Sequence, residues 1–235
     1  MKKYISFVLV AILFTLTDCG GKQMDNTTTK NSSSSEVSTE DINSDKIGIK
    51  DEEHNILIAY FTAAENSDVD AVSSASVVVV NDVAKGCVRA VADMIQSEIG
   101  GDLFSIQTEF DYPGDIGELI DYAAGEQERE ERPTLATHIE NLEEYDIVFI
   151  GYPNWWYDMP MAMYTFFEEY DFSGKIIIPF NTHRGSRFSS TISTIQELEP
   201  EAIVIKDGFT YSGDDAANAT SDVTKWINNI EIEKE

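Results

Sequence analysis

The chain has 235 residues, 42% hydrophobic and 11% aromatic, enough to bury the core of one large domain and too apolar for disorder throughout. Lys and Arg total 16 against 43 Asp and Glu, a net charge of −27, which argues against the clustered cations that nucleic acid or an anionic lipid surface requires. Cys19 and Cys87 are too few for a disulfide scaffold, and His54, His138 and His183 are too scattered to announce a metal site. In chain order, Lys2 and Lys3 precede an apolar run from Tyr4 to Leu16. That run has the length of a signal-peptide core and falls short of the ~20 residues that span a bilayer. Residues 20–54 contain no aromatic side chain and include the polar runs Thr27 to Thr29 and Ser32 to Ser35. Such a stretch cannot offset its ordering entropy by burial, so residues 19–54 are predicted to form a flexible tether after a signal segment at 1–18.

From 55 to 230 strand and helix patterns alternate. Ile56 to Phe61 is a continuous apolar run, as a parallel strand covered on both faces requires. A helix is predicted over Asp82 to Ile99, where Val83, Val88, Val91, Ile95 and Ile99 keep helical spacing and Gly100-Gly101 ends it. Leu103 to Gln107 reads as a second strand, Ile116 to Glu130 as a helix ended by Pro133, and Ile147 to Ile150 as a third strand. Met161 to Glu169 reads as a helix, Ile176 to Phe180 as a fourth strand and Ser189 to Leu198 as a helix. Ile203 to Ile205 forms a fifth strand and Ala216 to Asn229 a closing helix. This alternation predicts an α/β three-layer sandwich with a five-stranded parallel sheet of order 2-1-3-4-5. Ligands of such sheets sit beyond the carboxyl ends of the strands, here the loops after strands one, three and four.

Two of those loops are unusual. After the third strand comes Gly151-Tyr152-Pro153-Asn154-Trp155-Trp156-Tyr157, in which four of residues 152–157 are aromatic. So much apolar area on a surface loop calls for a flat ligand to stack there, or for a neighbouring subunit. After the fourth strand comes Asn181-Thr182-His183-Arg184-Gly185-Ser186-Arg187-Phe188. Its Gly and Ser permit close backbone approach and supply donors; alternatively it is a plain turn before a helix capped by Ser189. Cys87, inside a predicted helix, reads as a small buried hydrophobe.

Leu16-Thr17-Asp18-Cys19-Gly20 resembles a bacterial lipoprotein signal. The resemblance implies cleavage before Cys19, lipidation of its thiol and anchoring at the outer face of the cell membrane; the alternative is an ordinary secretory signal with an incidental cysteine. Ile58-Ala59-Tyr60-Phe61-Thr62, the loops 151–157 and 181–188, and Asp171-Phe172-Ser173-Gly174-Lys175 together resemble the flavodoxin-like family, over roughly Asn55 to Ile230. That resemblance implies noncovalent FMN gripped by three loops, and electron transfer or flavin-dependent reduction at its ring. By position, Pro153, Asn154, Trp155, Trp156 and Tyr157 would border the ring, and Thr182, His183, Gly185 and Ser186 would lie along its pyrimidine side.

Thr62, Ala63, Ala64 and Asn66 would begin a phosphate loop split by an insertion. Ser76 would fold back as a hydroxyl donor, and Asn81, Asp82 and Val83 would open the helix, with Asp82 as its cap. Arg184 and Arg187 stand where the family often has glycine; they pair with the acidic surface, contact an anionic substrate, ring or phosphate, or narrow the flavin slot by their bulk. No catalytic side chain is required, and the sequence does not name the redox partner. The rival reading is a surface-anchored module of the same fold that has lost FMN and binds a partner through Trp155 and Trp156.

Overall fold

A computed structural model describes residues 46–67 and 76–233. The signal segment 1–18, Cys19, the tether before residue 46 and Ser73 to Ala75 of the insertion lie outside the described residues. The elements are β1 (Lys46–Gly48), β2 (Ile56–Phe61), β3 (Val77–Val80), β4 (Val83–Gly86), α1 (Cys87–Ile99), β5 (Asp102–Ile106), α2 (Ile116–Glu128) and β6 (Ile147–Pro153). They continue with α3 (Met161–Glu169), β7 (Ile176–His183), α4 (Thr191–Leu198), β8 (Ile203–Val204), β9 (Phe209–Ser212), α5 (Thr220–Asn228) and β10 (Glu231–Glu233).

All six residues of β2 are buried, as its unbroken apolar run demands. The sheet runs β5-β2-β6-β7-β8 with every pair parallel, which is the expected 2-1-3-4-5 order. Alternate strand residues serve opposite faces. Ile58, Tyr60, Phe149 and Ile178 pack with Val91 and Ile95 of α1 and Val223 and Ile227 of α5. Leu57, Phe61, Val148 and Ile150 pack with Leu119 of α2, Phe166 of α3 and Ile195 of α4. The chain is an α/β sandwich with helices on both sides of a mostly parallel sheet.

Several elements differ from expectation, each for a physical reason. The helix expected from Asp82 begins at Cys87, and residues 83–86 instead pair with 77–80 as an antiparallel hairpin. Asn81 and Asp82 form its two-residue turn with φ of 52° and 64°, the left-handed conformation that Asn and Asp tolerate best among side-chain-bearing residues. Asp82 is therefore not a helix cap. Val83 coincides with the α1 periodicity, but it pairs with Val80 across the hairpin, where β-branched side chains are well accommodated.

The fifth strand is broken in two. β8 pairs with Ile176 and Ile177, and β9 pairs with β7 only from Phe180 onward. The gap coincides with Pro179, which has no N–H to contribute to a ladder. The closing helix is likewise interrupted, a 3-10 turn over Gly213–Asn218 preceding α5. Ser189 takes a φ of 52°, and Ser190 stands at the α4 N-cap without a side-chain bond.

Residues 46–49, expected in the tether, belong to the folded unit. β1 pairs antiparallel with β10, and Ile49 and Ile232 are 3% and 4% exposed. Finally, β6 and β7 run further than expected, so that Tyr152, Pro153, Asn181, Thr182 and His183 are strand residues and Pro153 pairs with Thr182.

Candidate functional site

The shared extension of β6 and β7 sets one wall of a cleft of about 340 Å³ at the carboxyl edge of the sheet, within the range that small ligands occupy. Thr62, Ser76, Pro153, Asn154, Trp155, Trp156, Thr182 and His183 all line it, together with Arg184. Residues from three separate predicted loops thus meet in one place.

One end is the start of α1. Its N-cap is Gly86, no side chain caps it, and its first turn contains no acid. A Cβ at Gly86 would lie 2.0 Å from the Thr62 Oγ1, so only glycine lets the helix start this close to the end of β2. The Cys87 N–H donates to the Ser76 carbonyl at 2.8 Å, which ties Ser76 to the start of the helix. The Cys87 thiol donates to the Gly213 carbonyl at 3.4 Å, and burial pushes it up to about 11, so it is the expected buried hydrophobe and not a thiolate. Val88 and Gly213 also line the cleft. With no side-chain cap and no acid in its first turn, the start of α1 beside Thr62 and Ser76 is an end suited to an anionic group.

The aromatic loop is a two-residue hairpin. Trp155 and Asp158 exchange backbone bonds of 2.8 and 2.9 Å, while Trp156 and Tyr157 occupy left-handed φ of 51° and 67°. Trp155 stands edge-on to Phe61 and to Tyr112, each ring 5.6 Å away. The Trp156 indole donates to the Ile120 carbonyl at 3.0 Å and remains 50% exposed. Asp158 accepts the Tyr164 hydroxyl at 2.9 Å, which holds the hairpin against α3.

The third side comes from the end of β7. The His183 Nδ1 accepts the Gly185 N–H at 2.8 Å. Burial, and then the charge of Arg187, hold His183 below its ordinary pKa, so the ring is neutral with its proton on Nε2, a donor. Arg184 pairs with Asp214, in keeping with a role toward the acidic surface. Asn154 and Asn181 both donate to the Arg187 carbonyl, at 3.1 and 2.8 Å, and the Asn154 N–H donates to the Thr182 carbonyl at 2.8 Å. These bonds lock the two loops together.

Other expected residues stand apart. Ala63 and Ala64 lie in a short 3-10 turn, and Asn66 closes it from a buried position. Asn66 donates to the Thr62 and Ile106 carbonyls at 2.9 and 3.1 Å and accepts the Thr108 N–H at 2.8 Å, a latch beneath the cleft. Asn81, Asp82 and Val83 sit at the far end of the hairpin from Gly86 and do not line the cleft. Tyr157, Gly185 and Ser186 are also outside the lining, Tyr157 being 72% exposed.

The fourth wall was not foreseen. It is the face of α2 formed by Ile116, Leu119, Ile120 and Ala123. Their spacing marks an apolar helix face, but periodicity does not tell a face that covers core from one that covers a cavity.

The flavodoxin family model matches residues 75–230. Among solved structures, a protein from Bacteroides uniformis assigned as a flavoprotein is 25% identical, with a TM-score of 0.56 over 75% of this chain and 99% of its own. One from Bacteroides eggerthii, similarly assigned, is also 25% identical, with a TM-score of 0.53 over 74% of this chain and 99% of its own. A Lactobacillus acidophilus flavoprotein, solved in complex with FMN, shares the fold at 18% identity, with a TM-score of 0.50 over 72% of this chain and 99% of its own. No curated protein matches the chain. With its parallel sheet in 2-1-3-4-5 order and a family match across more than half its length, the chain belongs to the flavodoxin family.

Proposed function

We propose that this chain binds FMN noncovalently in the cleft and serves electron transfer or flavin-dependent reduction. The observation that carries the reading is the meeting of three features in one cleft: a helix start without a side-chain cap, an aromatic wall and a neutral histidine beside Thr182. The donor set fits the cofactor. N–H groups at the start of α1, with the Thr62 and Ser76 hydroxyls, would hold the phosphate without a lysine. Trp155, Trp156 and the apolar face of α2 would cover the ring and keep water from it, while Thr182 and the His183 Nε2–H would donate to the carbonyls at its edge. The bound cofactor supplies the redox chemistry, and the protein positions it and sets its electrostatic surroundings. The FMN complex of the Lactobacillus acidophilus relative supports the reading.

The test is a titration of purified protein with FMN and with riboflavin, followed by flavin absorbance and by quenching of tryptophan fluorescence. FMN is expected to bind clearly tighter than riboflavin, because only FMN offers a phosphate to α1. A colourless protein that binds neither would sink the proposal and favour the rival reading of a binding module. The lipoprotein-like segment ending at Cys19 supports a place at the outer face of the cell membrane. The full chain is expected to fractionate with membranes, and Cys19→Ser to release it; membrane association that survives this change would rule out the lipid anchor.

A further inference from the structure

Helix α2 carries one acid on its buried side. Glu126 is 1% exposed and its neighbour Tyr112 is 2% exposed. The Tyr112 hydroxyl lies 3.3 and 3.2 Å from the two carboxyl oxygens, and it is the carboxyl's only hydrogen-bond donor among the described residues. An ionised carboxylate offers about four acceptor positions, so one shared phenol leaves it poorly satisfied, and burial makes that costly. Burial accordingly pushes Glu126 up to about 7; the Tyr112 bond pulls it down, Glu131 raises it and Arg129 lowers it.

The surrounding groups supply no net counter-charge, since Glu131 raises Glu126 more than Arg129 lowers it. Arg129 is paired with Glu131. Tyr122, on the same helix, is itself pushed up, first by burial and then by the charge of Glu126. On the α3 side the Tyr164 hydroxyl is bonded to Asp158, and the guanidinium of Arg132 lies 5.0 Å over the Tyr164 ring.

The carboxyl is also connected to the cleft. Ala123, one helical turn before Glu126, lines it, and so does Trp155, whose ring meets the edge of Tyr112 at 5.6 Å. Two contacts, Glu126 to Tyr112 and Tyr112 to Trp155, lead from the carboxyl to the cleft wall.

We propose that Glu126 is a proton site coupled to the cleft, holding a proton taken from solvent when negative charge occupies the cleft and releasing it when that charge leaves. Charges separated by apolar side chains repel more strongly than they do in water. By linkage an anionic ligand favours protonated Glu126, and protonated Glu126 favours the anionic ligand. The inference rests on the flavin reading for the identity of that ligand.

The test has two arms. Without ligand, tryptophan fluorescence followed against pH is expected to show a transition near neutrality that Glu126→Gln abolishes. Tyr112→Phe, which removes the single donor to the carboxylate, is expected to move the midpoint upward. A transition unchanged in Glu126→Gln, or no transition in the parent protein, overturns the proposal. With FMN, parent and Glu126→Gln proteins are expected to bind equally at about pH 5.5. At about pH 8.5 the parent is expected to bind about tenfold more weakly than the variant, one pKa unit of coupling. Titration of the FMN phosphate is common to both proteins and cancels in the ratio. Parallel pH profiles with FMN bound overturn the coupling alone; no binding by either protein at either pH overturns the flavin reading and the coupling with it.

Discussion

Trp156 and Tyr157 hold left-handed backbone conformations that suit Asn-Gly in a two-residue hairpin. For bulky side chains such conformations cost of order 1–3 kcal/mol each, and they collect at functional sites. The strain persists because Trp155 and Asp158 exchange two backbone bonds and the Trp156 indole is anchored on the Ile120 carbonyl. Replacing Trp156-Tyr157 by Asn-Gly is therefore expected to raise stability by about 1–2 kcal/mol, read from the urea midpoint. The same change is expected to weaken FMN binding about tenfold, the scale of one lost aromatic stacking contact. A lower midpoint would mean that the two side chains stabilise the loop by more than their backbones strain it. Trp155 and Trp156 were legible in the sequence because aromatic residues crowd a loop at the carboxyl edge. Glu126 was not, since its helix bears acids on its exposed side too, and only packing shows which one is buried.

At the scale of elements, the start of α1 forms the end of the cleft suited to an anionic group. The hairpin of β3 and β4 delivers Gly86 against Thr62 and removes Asp82 from the helix, so among the described residues no carboxylate caps α1. Periodicity alone placed the helix start too early because Val83 satisfies both a strand and a helix pattern. Asn81-Asp82 directly after the four valines at 77–80 was the available signal for a hairpin. The β1–β10 pair was missed for another reason: three-residue strands from opposite ends of the chain carry no local signature. Ile49 and Ile232 nonetheless extend the core on the α1 and α5 side. A chain beginning at residue 55 is therefore expected to lose about 2–4 kcal/mol against one beginning at residue 46, from the buried side chain of Ile49 and the lost strand pairing. Equal urea midpoints for the two chains would show that the pair adds nothing to the fold.

Across the whole molecule, the sheet order and the two-sided core followed from the sequence alone, because strands covered on both faces read as apolar runs and right-handed crossovers leave few ways to connect them. The net charge of −27 is compatible with an anionic ligand, since screening over about 8 Å leaves nearby N–H groups in control of the cleft. What the sequence by itself determined was the family, the edge of the sheet where the cleft lies, and the aromatic and His-containing segments that reach it. Only the tertiary structure decided which residues meet. It brought the α2 face into the cleft, set the helix start at Gly86, carried Asn81 and Asp82 away from it, and buried Glu126 behind Tyr112 and Trp155. The physical reason is that strand and helix patterns are written in neighbouring residues, whereas a cleft wall, a backbone contact as close as Gly86 on Thr62 and the burial of one carboxyl each depend on segments distant in the chain.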